Sequence, residues 1–194
     1  MSALSFAAAD VSEQERVFAT LVLAFAADPV ERWLYPEPHQ YLSRVPRFLA
    51  AFGGRAFAER TVWRLGEFSA LALWLPPGTE ADGDAITNSL AKTVAADKHD
   101  DMFDVLGQMS AAHPTYPHWY LLWFGVDTAL QGTGLGSQLM TLCLQIVDAT
   151  HMPAYLETPN PRTFSFYQRH GFEVTGEAQA GTCPPMTFML RAAR

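Results

Sequence analysis

The stretch "VDTALQGTGLG", residues 126–136, decides how the rest of the chain is read. Gly132, Gly134 and Gly136 alternate with Thr133 and Leu135 just past "WYLLWFGV" (119–126), the most strand-like run in the sequence. Residues 137–150 follow with the apolar content of a helix buried on most sides. A glycine turn between strand and helix suits a phosphate. The helix N-terminus leaves its first amides unpaired and carries partial positive charge, and glycine adopts the left-handed backbone that lets amides converge. Ser137 can add a hydroxyl.

Counting separates the candidate ligands. The dinucleotide fingerprint G-x-G-x-x-G fits Gly132 and Gly134 but then meets Ser137 where it needs glycine. Glu157 does lie 23 residues after Gly134, near the acidic position of that fingerprint, but the turn sits far from any first strand. The P-loop pattern fails because no lysine occurs between Gly132 and the C-terminus. Gln131-Gly132-Thr133-Gly134-Leu135-Gly136 instead matches Q/R-x-x-G-x-G/A. Downstream, "NPRTFSFYQRHGF" places Tyr167 seven residues after Asn160 and closes on Gly171-Phe172, an N-x6-Y-x3-G-F element. Together the two motifs resemble those of the GCN5-related N-acetyltransferase (GNAT) family, over roughly residues 119–172.

That resemblance implies an α/β fold with a central mixed, mostly antiparallel sheet, splayed between its fourth and fifth strands and flanked by helices. It implies acetyl-CoA as acyl donor, with the pyrophosphate on Gln131, Gly132, Thr133, Gly134, Leu135, Gly136 and Ser137, aided by Asn160 and Tyr167. The pantetheine arm would pair with Phe124, Gly125 and Val126, one amide there polarising the thioester oxygen. Gly125, a glycine within a strand, is read as a bulge, with close packing as the alternative. Tyr167 is the implied acid for the departing thiolate, since a phenol of reference pKa ~10 carries its proton at neutral pH.

Glu157 in "AYLET" is the candidate base, because desolvation beside a cleft favours a carboxyl able to take up a proton. Its alternative is a structural carboxylate bonded to backbone or to Arg162. On the acceptor side the resemblance points to Asp28, Trp33, Tyr35, Trp74 and Tyr116, as aromatic lining with a carboxylate for an ammonium group. His113 and His118 read as loop or solvent residues, and His151 and His170 as helix-end cations. No spacing resembles a zinc site. Two other activities stay open from the residues alone: a catalytically silent acyl-CoA-binding module, and an NAD-dependent oxidoreductase.

Composition fits a globular protein with a small-molecule or protein amine as partner. The chain of 194 residues is 49% hydrophobic and 17% charged, with net charge −7 and a pI near 5.3. Nucleic acid and anionic membranes call for a basic surface that this balance does not offer. Cys143 and Cys183 are too few for a disulfide framework, and Cys143 sits in an apolar helical run. "MSALSFAAADVSEQE" lacks the basic and apolar segments of a signal peptide, which makes a cytoplasmic location the expectation. No repeat or linker divides the sequence, so one domain over residues 1–194, as monomer or homodimer, is the economical reading.

The remaining elements follow from pattern. Ser12 and Glu15 suggest a capping box before a helix bearing Val17, Phe18, Leu21 and Phe25. Asp28-Pro29 opens a short helix, and a third runs from Glu37 to Phe52, stopping at Gly53-Gly54. A hairpin turns at Gly66-Glu67, and residues 82–112 are helical with a break near Lys98–Asp101. "AYLET", "FEVTGEA" and "PMTFMLR" complete the strands.

Overall fold

The computed structural model describes residues 4–194; residues 1–3, part of the stretch read above for a targeting signal, lie outside the described residues. Among the described residues, seven strands build one sheet in the order β1-β2-β3-β4-β5-β7-β6. They are β1 (Phe6–Ala8), β2 (Val62–Leu65), β3 (Ala70–Leu75), β4 (Trp119–Val126), β5 (Ala154–Thr158), β6 (Glu173–Ala178) and β7 (Met186–Arg191). Every neighbouring pair is antiparallel except β4 with β5. This is the mixed, mostly antiparallel sheet that the glycine-turn reading implies.

Both faces of the sheet are covered, which is why β3 reads "ALALWL" without polar alternation. Leu71, Leu73 and Leu75 face one core, while Ala70, Ala72 and Trp74 face the other. The first core is closed by α1 (Gln14–Ala24), α2 (Pro29–Leu34), α3 (Pro38–Gly53), α4 (Arg55–Ala58), α5 (Gly83–Thr93) and α6 (His99–Ala112). The second is closed by α7 (Leu135–Asp148) and α8 (Phe164–Arg169). In α7, Leu139, Met140, Cys143, Leu144 and Val147 recur at helical spacing and are all buried. Each full burial of a large apolar side chain is worth roughly 1.5–3 kcal/mol, so this stripe fixes the helix that follows the glycine turn.

Several local readings move. The capping box is Asp10 with Glu13, not Ser12 with Glu15, because a turn of 3-10 helix (Val11–Glu13) starts the element two residues earlier. Gly54 keeps a right-handed backbone (φ −60°) and leads straight into α4 instead of ending the helical run. The break between α5 and α6 falls at residues 94–98, before the expected position.

The bulge in β4 is at Leu122, not Gly125. Leu73 pairs with Trp123 and Trp74 with Leu121, so Leu122 is the unpaired extra residue. Leu122 and Trp123 therefore both face the first core, and the alternation is inverted from there to Val126. Gly125 pairs regularly with Leu71 and has a different reason to be glycine. A Cβ there would stand 2.9 Å from both Ala24 Cβ and Leu21 Cδ2, so α1 packs directly onto the strand backbone.

Candidate functional site

The parallel junction of β4 and β5 opens partway along its length. Trp119, Tyr120 and Leu121 pair with Ala154, Tyr155 and Leu156, and there the register ends. From Leu122 onward β4 keeps its bonds to β3 on one edge, and from Glu157 onward β5 keeps its bonds to β7. The facing edges of both strands, from Leu122 to Val126 and from Glu157 to Thr158, are thus left without each other. A bulge placed at the opening explains the splay, since one extra residue bends the strand away.

The glycine turn lies beyond the end of β4. Gly132 (φ 77°) and Gly134 (φ 91°) both have left-handed backbone, and a Cβ on either would meet no atom within 4 Å. Conformation, not space, requires glycine at these two positions. Gly134 caps α7 with no side-chain bond, and Gln138 N–H is the first to reach back, to the Gly134 carbonyl at 3.0 Å. The amides of Leu135, Gly136 and Ser137 are therefore free for an anion. Gln131 Nε2 donates to the Val126 carbonyl at 3.2 Å and Thr133 Oγ1 to that of Leu130 at 2.6 Å. These side chains brace the loop. Asn160 likewise caps a 3-10 turn, its Oδ1 accepting from Arg162 N–H at 3.1 Å.

Glu157 heads a buried polar cluster at the mouth of the gap. Its Oε2 accepts the Tyr120 hydroxyl at 2.5 Å and its Oε1 the Tyr155 hydroxyl at 3.0 Å. Burial and the adjacent carboxylate push both phenols far up, so both remain donors. Arg162, the alternative partner considered from sequence, does not reach Glu157; His113 does, with Nδ1 4.0 Å from Oε1. His113 Nε2 meets His118 Nε2 at 3.1 Å, and His118 Nδ1 lies 2.8 Å from the Tyr116 carbonyl. A carbonyl only accepts, so His118 carries its proton on Nδ1, and burial favours its neutral form. Its Nε2 then accepts from His113 Nε2–H. Sequence reasoning set these two histidines aside; their separation of five residues across a Pro-rich loop gave no sign that they converge on β5.

A cleft of about 910 Å³, its open mouth included, joins these groups to the helical side. Glu157, Tyr167, Tyr120 and Phe124 line one part, and Asp28, Glu31 and Trp33 another. Tyr167 is buried beside Phe166 and Phe172, and desolvation together with the Asp28 charge pushes its phenol well up.

Of the five residues expected on the acceptor side, Asp28 and Trp33 line the cleft and three do not. Tyr35 is fully buried, with its hydroxyl 2.8 Å from Thr93 Oγ1. Trp74 belongs to the opposite core, packed on Trp63 and Trp119, because its place in β3 points it away. Tyr116 stays in the exposed loop before β4. The residue missed is Glu31, three positions after the helix-capping Asp28; a D-x-x-E pattern reads as capping, and nothing local shows that it turns inward.

Residues 62–172, more than half of the chain, match the Acetyltransferase (GNAT) family. The protein belongs to that family and is an N-acetyltransferase, which removes both the nicotinamide-dependent and the silent-module readings. It is 24% identical over 183 residues to an uncharacterized N-acetyltransferase of Schizosaccharomyces pombe, covering 84% of this chain and 72% of that one. A structure described as histone acetyltransferase HPA2 and related acetyltransferase from Corynebacterium glutamicum superposes with a TM-score of 0.69 at 23% identity, over 100% and 98% of the two chains. A Drosophila melanogaster polyamine N-acetyltransferase that forms N-acetylagmatine has the same fold, at TM-score 0.63 and 15% identity over 97% and 99%. No helix among the described residues is long and apolar enough to cross a membrane.

Proposed function

We propose that residues 1–194 act as one catalytic domain, monomeric or homodimeric, that moves an acetyl group from acetyl-CoA directly to a small-molecule or protein amine. One observation carries the reading: the opening between β4 and β5 meets a cleft that also holds Glu157 and Tyr167, with a glycine turn and free helix amides beyond the end of β4. The unpaired β4 edge from Leu122 to Val126 offers backbone donors and acceptors suited to a pantetheine amide. The amides of Leu135, Gly136 and Ser137 suit a pyrophosphate.

Acetyl-CoA supplies an acyl thioester and a thiolate leaving group. The protein supplies position and proton handling. Glu157, held by two phenols, takes the proton from the attacking amine, and His113 Nδ1 stands next to it to carry that proton outward. Tyr167 faces the departing sulfur as a hydrogen-bond donor. Its raised phenol is a weaker acid than a thiol of reference pKa ~8.5, so it stabilises the leaving group while keeping its own proton. The Drosophila enzyme of the same fold is described as forming N-acetylagmatine, and a small amine is the acceptor we favour here.

A thermal-shift comparison tests the reading. Acetyl-CoA is expected to raise the Tm and NAD to leave it unchanged, since only a ligand of the native state stabilises it. Thiol release from acetyl-CoA across an amine panel then reports transfer. No shift with acetyl-CoA overturns the proposal.

A further inference from the structure

The junction of α1 and α2 directs two acidic side chains into the cleft, and the transfer step above uses neither. Asp28 is 7% exposed and Glu31 3%. Asp28 has a structural duty, accepting the amides of Val30 at 3.0 Å and Glu31 at 3.2 Å. Glu31 has none: its Oε2 is buried without a hydrogen-bond partner among the described residues. Neither carboxyl has an ion-pair partner among those residues. The nearby cations are engaged elsewhere, Arg32 with the Pro36 carbonyl, Arg44 with that of Thr93, and Lys98 with that of Trp33. An orphaned buried carboxyl is disfavoured, and the packing of α2 offers no reason to keep one.

We propose that Asp28 and Glu31 bind the distal cation of an acceptor that carries two basic nitrogens on an alkyl chain. The inference rests on the acyl-transfer reading and names its acceptor class. The cleft presents acid at two places: Glu157 on β5, and Asp28 with Glu31 on the helical side. Phe25, Phe48, Phe52, Val105 and Met109 supply apolar wall. One nitrogen must lose a proton to Glu157 and react. The other keeps its charge and satisfies the orphaned Glu31 oxygen, which an amine with a single nitrogen leaves unpaired.

The groups around the pair are Tyr35 and Tyr41, which feel Glu31, and Tyr167, which feels Asp28. The cations that act on the same tyrosines, Arg44 on Tyr35 and Arg32 on Tyr41, make no ion pair with either carboxyl among the described residues. Desolvation and mutual repulsion therefore hold Glu31 up at about 8, while desolvation lifts Asp28 to about 6. An entering cation favours the ionised carboxylate, so binding at pH 7 expels a proton.

The test compares 1,6-diaminohexane with hexylamine in the wild-type protein and in Glu31→Gln. The wild type is expected to favour the diamine roughly tenfold or more in kcat/KM, as a charge-assisted contact provides. Glu31→Gln is expected to reduce that ratio to about one to two through KM, and Asp28→Asn, which keeps the helix cap, to lower it in the same sense. Calorimetry of diamine binding at pH 7, in two buffers of different ionisation enthalpy, is expected to show proton release that Glu31→Gln abolishes. A wild-type ratio near one, a ratio unchanged in Glu31→Gln, or proton release that persists in the variant overturns the assignment. If neither amine is acetylated, the acyl-transfer reading fails, and calorimetry alone decides the cation site.

Discussion

The Tyr120 hydroxyl donates to Glu157 Oε2 at 2.5 Å, across the parallel junction at the point where it opens. Tyr120 pairs in register with Tyr155, which serves the other carboxylate oxygen, so the pair one step before the junction ends orients the candidate base. Both phenols are forced to donate, and the carboxylate meets the cleft already aligned. Preorganisation of this kind places a proton acceptor without further cost on binding.

Glu157→Gln keeps the shape and one acceptor oxygen but cannot take a proton. Its kcat for acetyl transfer at pH 7 is expected to fall roughly 10²-fold or more, the usual worth of a general base. KM for acetyl-CoA should hold within about twofold, since the proposed role of the residue is toward the amine. Steady-state thiol release measures both quantities, and an unchanged kcat removes Glu157 from the proton path.

Tyr167→Phe removes only a hydroxyl. Lost stabilisation of the leaving sulfur is expected to lower kcat about 10- to 100-fold, matching a hydrogen bond to a charged group of about 1.5–3 kcal/mol. Because this phenol holds its proton far above neutrality, no limb of the pH–rate profile between pH 6 and 9 should vanish in the variant. A limb that does vanish makes Tyr167 a true proton donor.

The glycines of β4 and of the turn have separable duties. Gly125→Ala puts a Cβ 2.9 Å from Ala24 and Leu21, and overpacking of this kind costs roughly 1–3 kcal/mol. Gly136→Ala meets Val126 Cγ2 only at 3.4 Å, in a helical position where Ala is the better helix former. Thermal denaturation should therefore show a clear loss of Tm for Gly125→Ala and little change for Gly136→Ala. Equal losses contradict the packing assignment of Gly125.

Much of this was legible in the chain because the signals are local. "WYLLWFGV" coincides with β4, Asp28-Pro29 caps α2, and the left-handed glycines fall at positions 132 and 134 of the quoted turn. What depends on register was not. Gly125 attracted the bulge that belongs to Leu122, because a missing side chain looks the same in sequence whether it eases a bend or admits a helix. Trp74 and Leu73 are adjacent yet serve opposite cores, and only strand pairing tells which one approaches the cleft. His113 comes within 4.0 Å of Glu157 through a loop that carries no periodicity. Glu31 was hidden behind a capping pattern it shares with ordinary surface helices.

The second core is pinned by a bidentate ion pair, whose pH dependence has a definite sign. Arg191 Nη1 and Nη2 donate to the two oxygens of Asp148 at 2.5 and 2.9 Å, joining β7 to the end of α7. Those bonds hold the Asp148 carboxyl below its usual value. A depressed carboxylate stabilises above its unfolded pKa near 3.8, and that stability disappears as pH falls through the lower folded value. Asp148→Asn should cost about 1.5–3 kcal/mol at pH 7. The Tm gap between variant and wild type should narrow as pH falls from 5 toward 3. A gap that stays constant with pH means the pair is not ionised.

Glu31 should behave in the opposite sense, and that contrast tests the cleft without any substrate. Its folded carboxyl is raised to about 8 against an ordinary 4.5, by desolvation first and the Asp28 charge second. The unfolded chain therefore releases this proton at lower pH than the folded one, so stability falls as pH rises from about 4.5 to 8. At pH 5 the native carboxyl is still neutral and costs little; by pH 8 the accumulated penalty is on the order of 2–4 kcal/mol. Glu31→Gln removes the ionisation and keeps the shape. Its Tm should run close to wild type at pH 5 and rise above it by several degrees at pH 8. A dicationic ligand should close that gap by restoring the wild type alone, because it pairs with the carboxylate the variant lacks. A Tm difference that is flat in pH places a counter-ion beside Glu31 already. In that case the cleft has no unsatisfied acid to offer an acceptor, and stability is not being spent there on recognition.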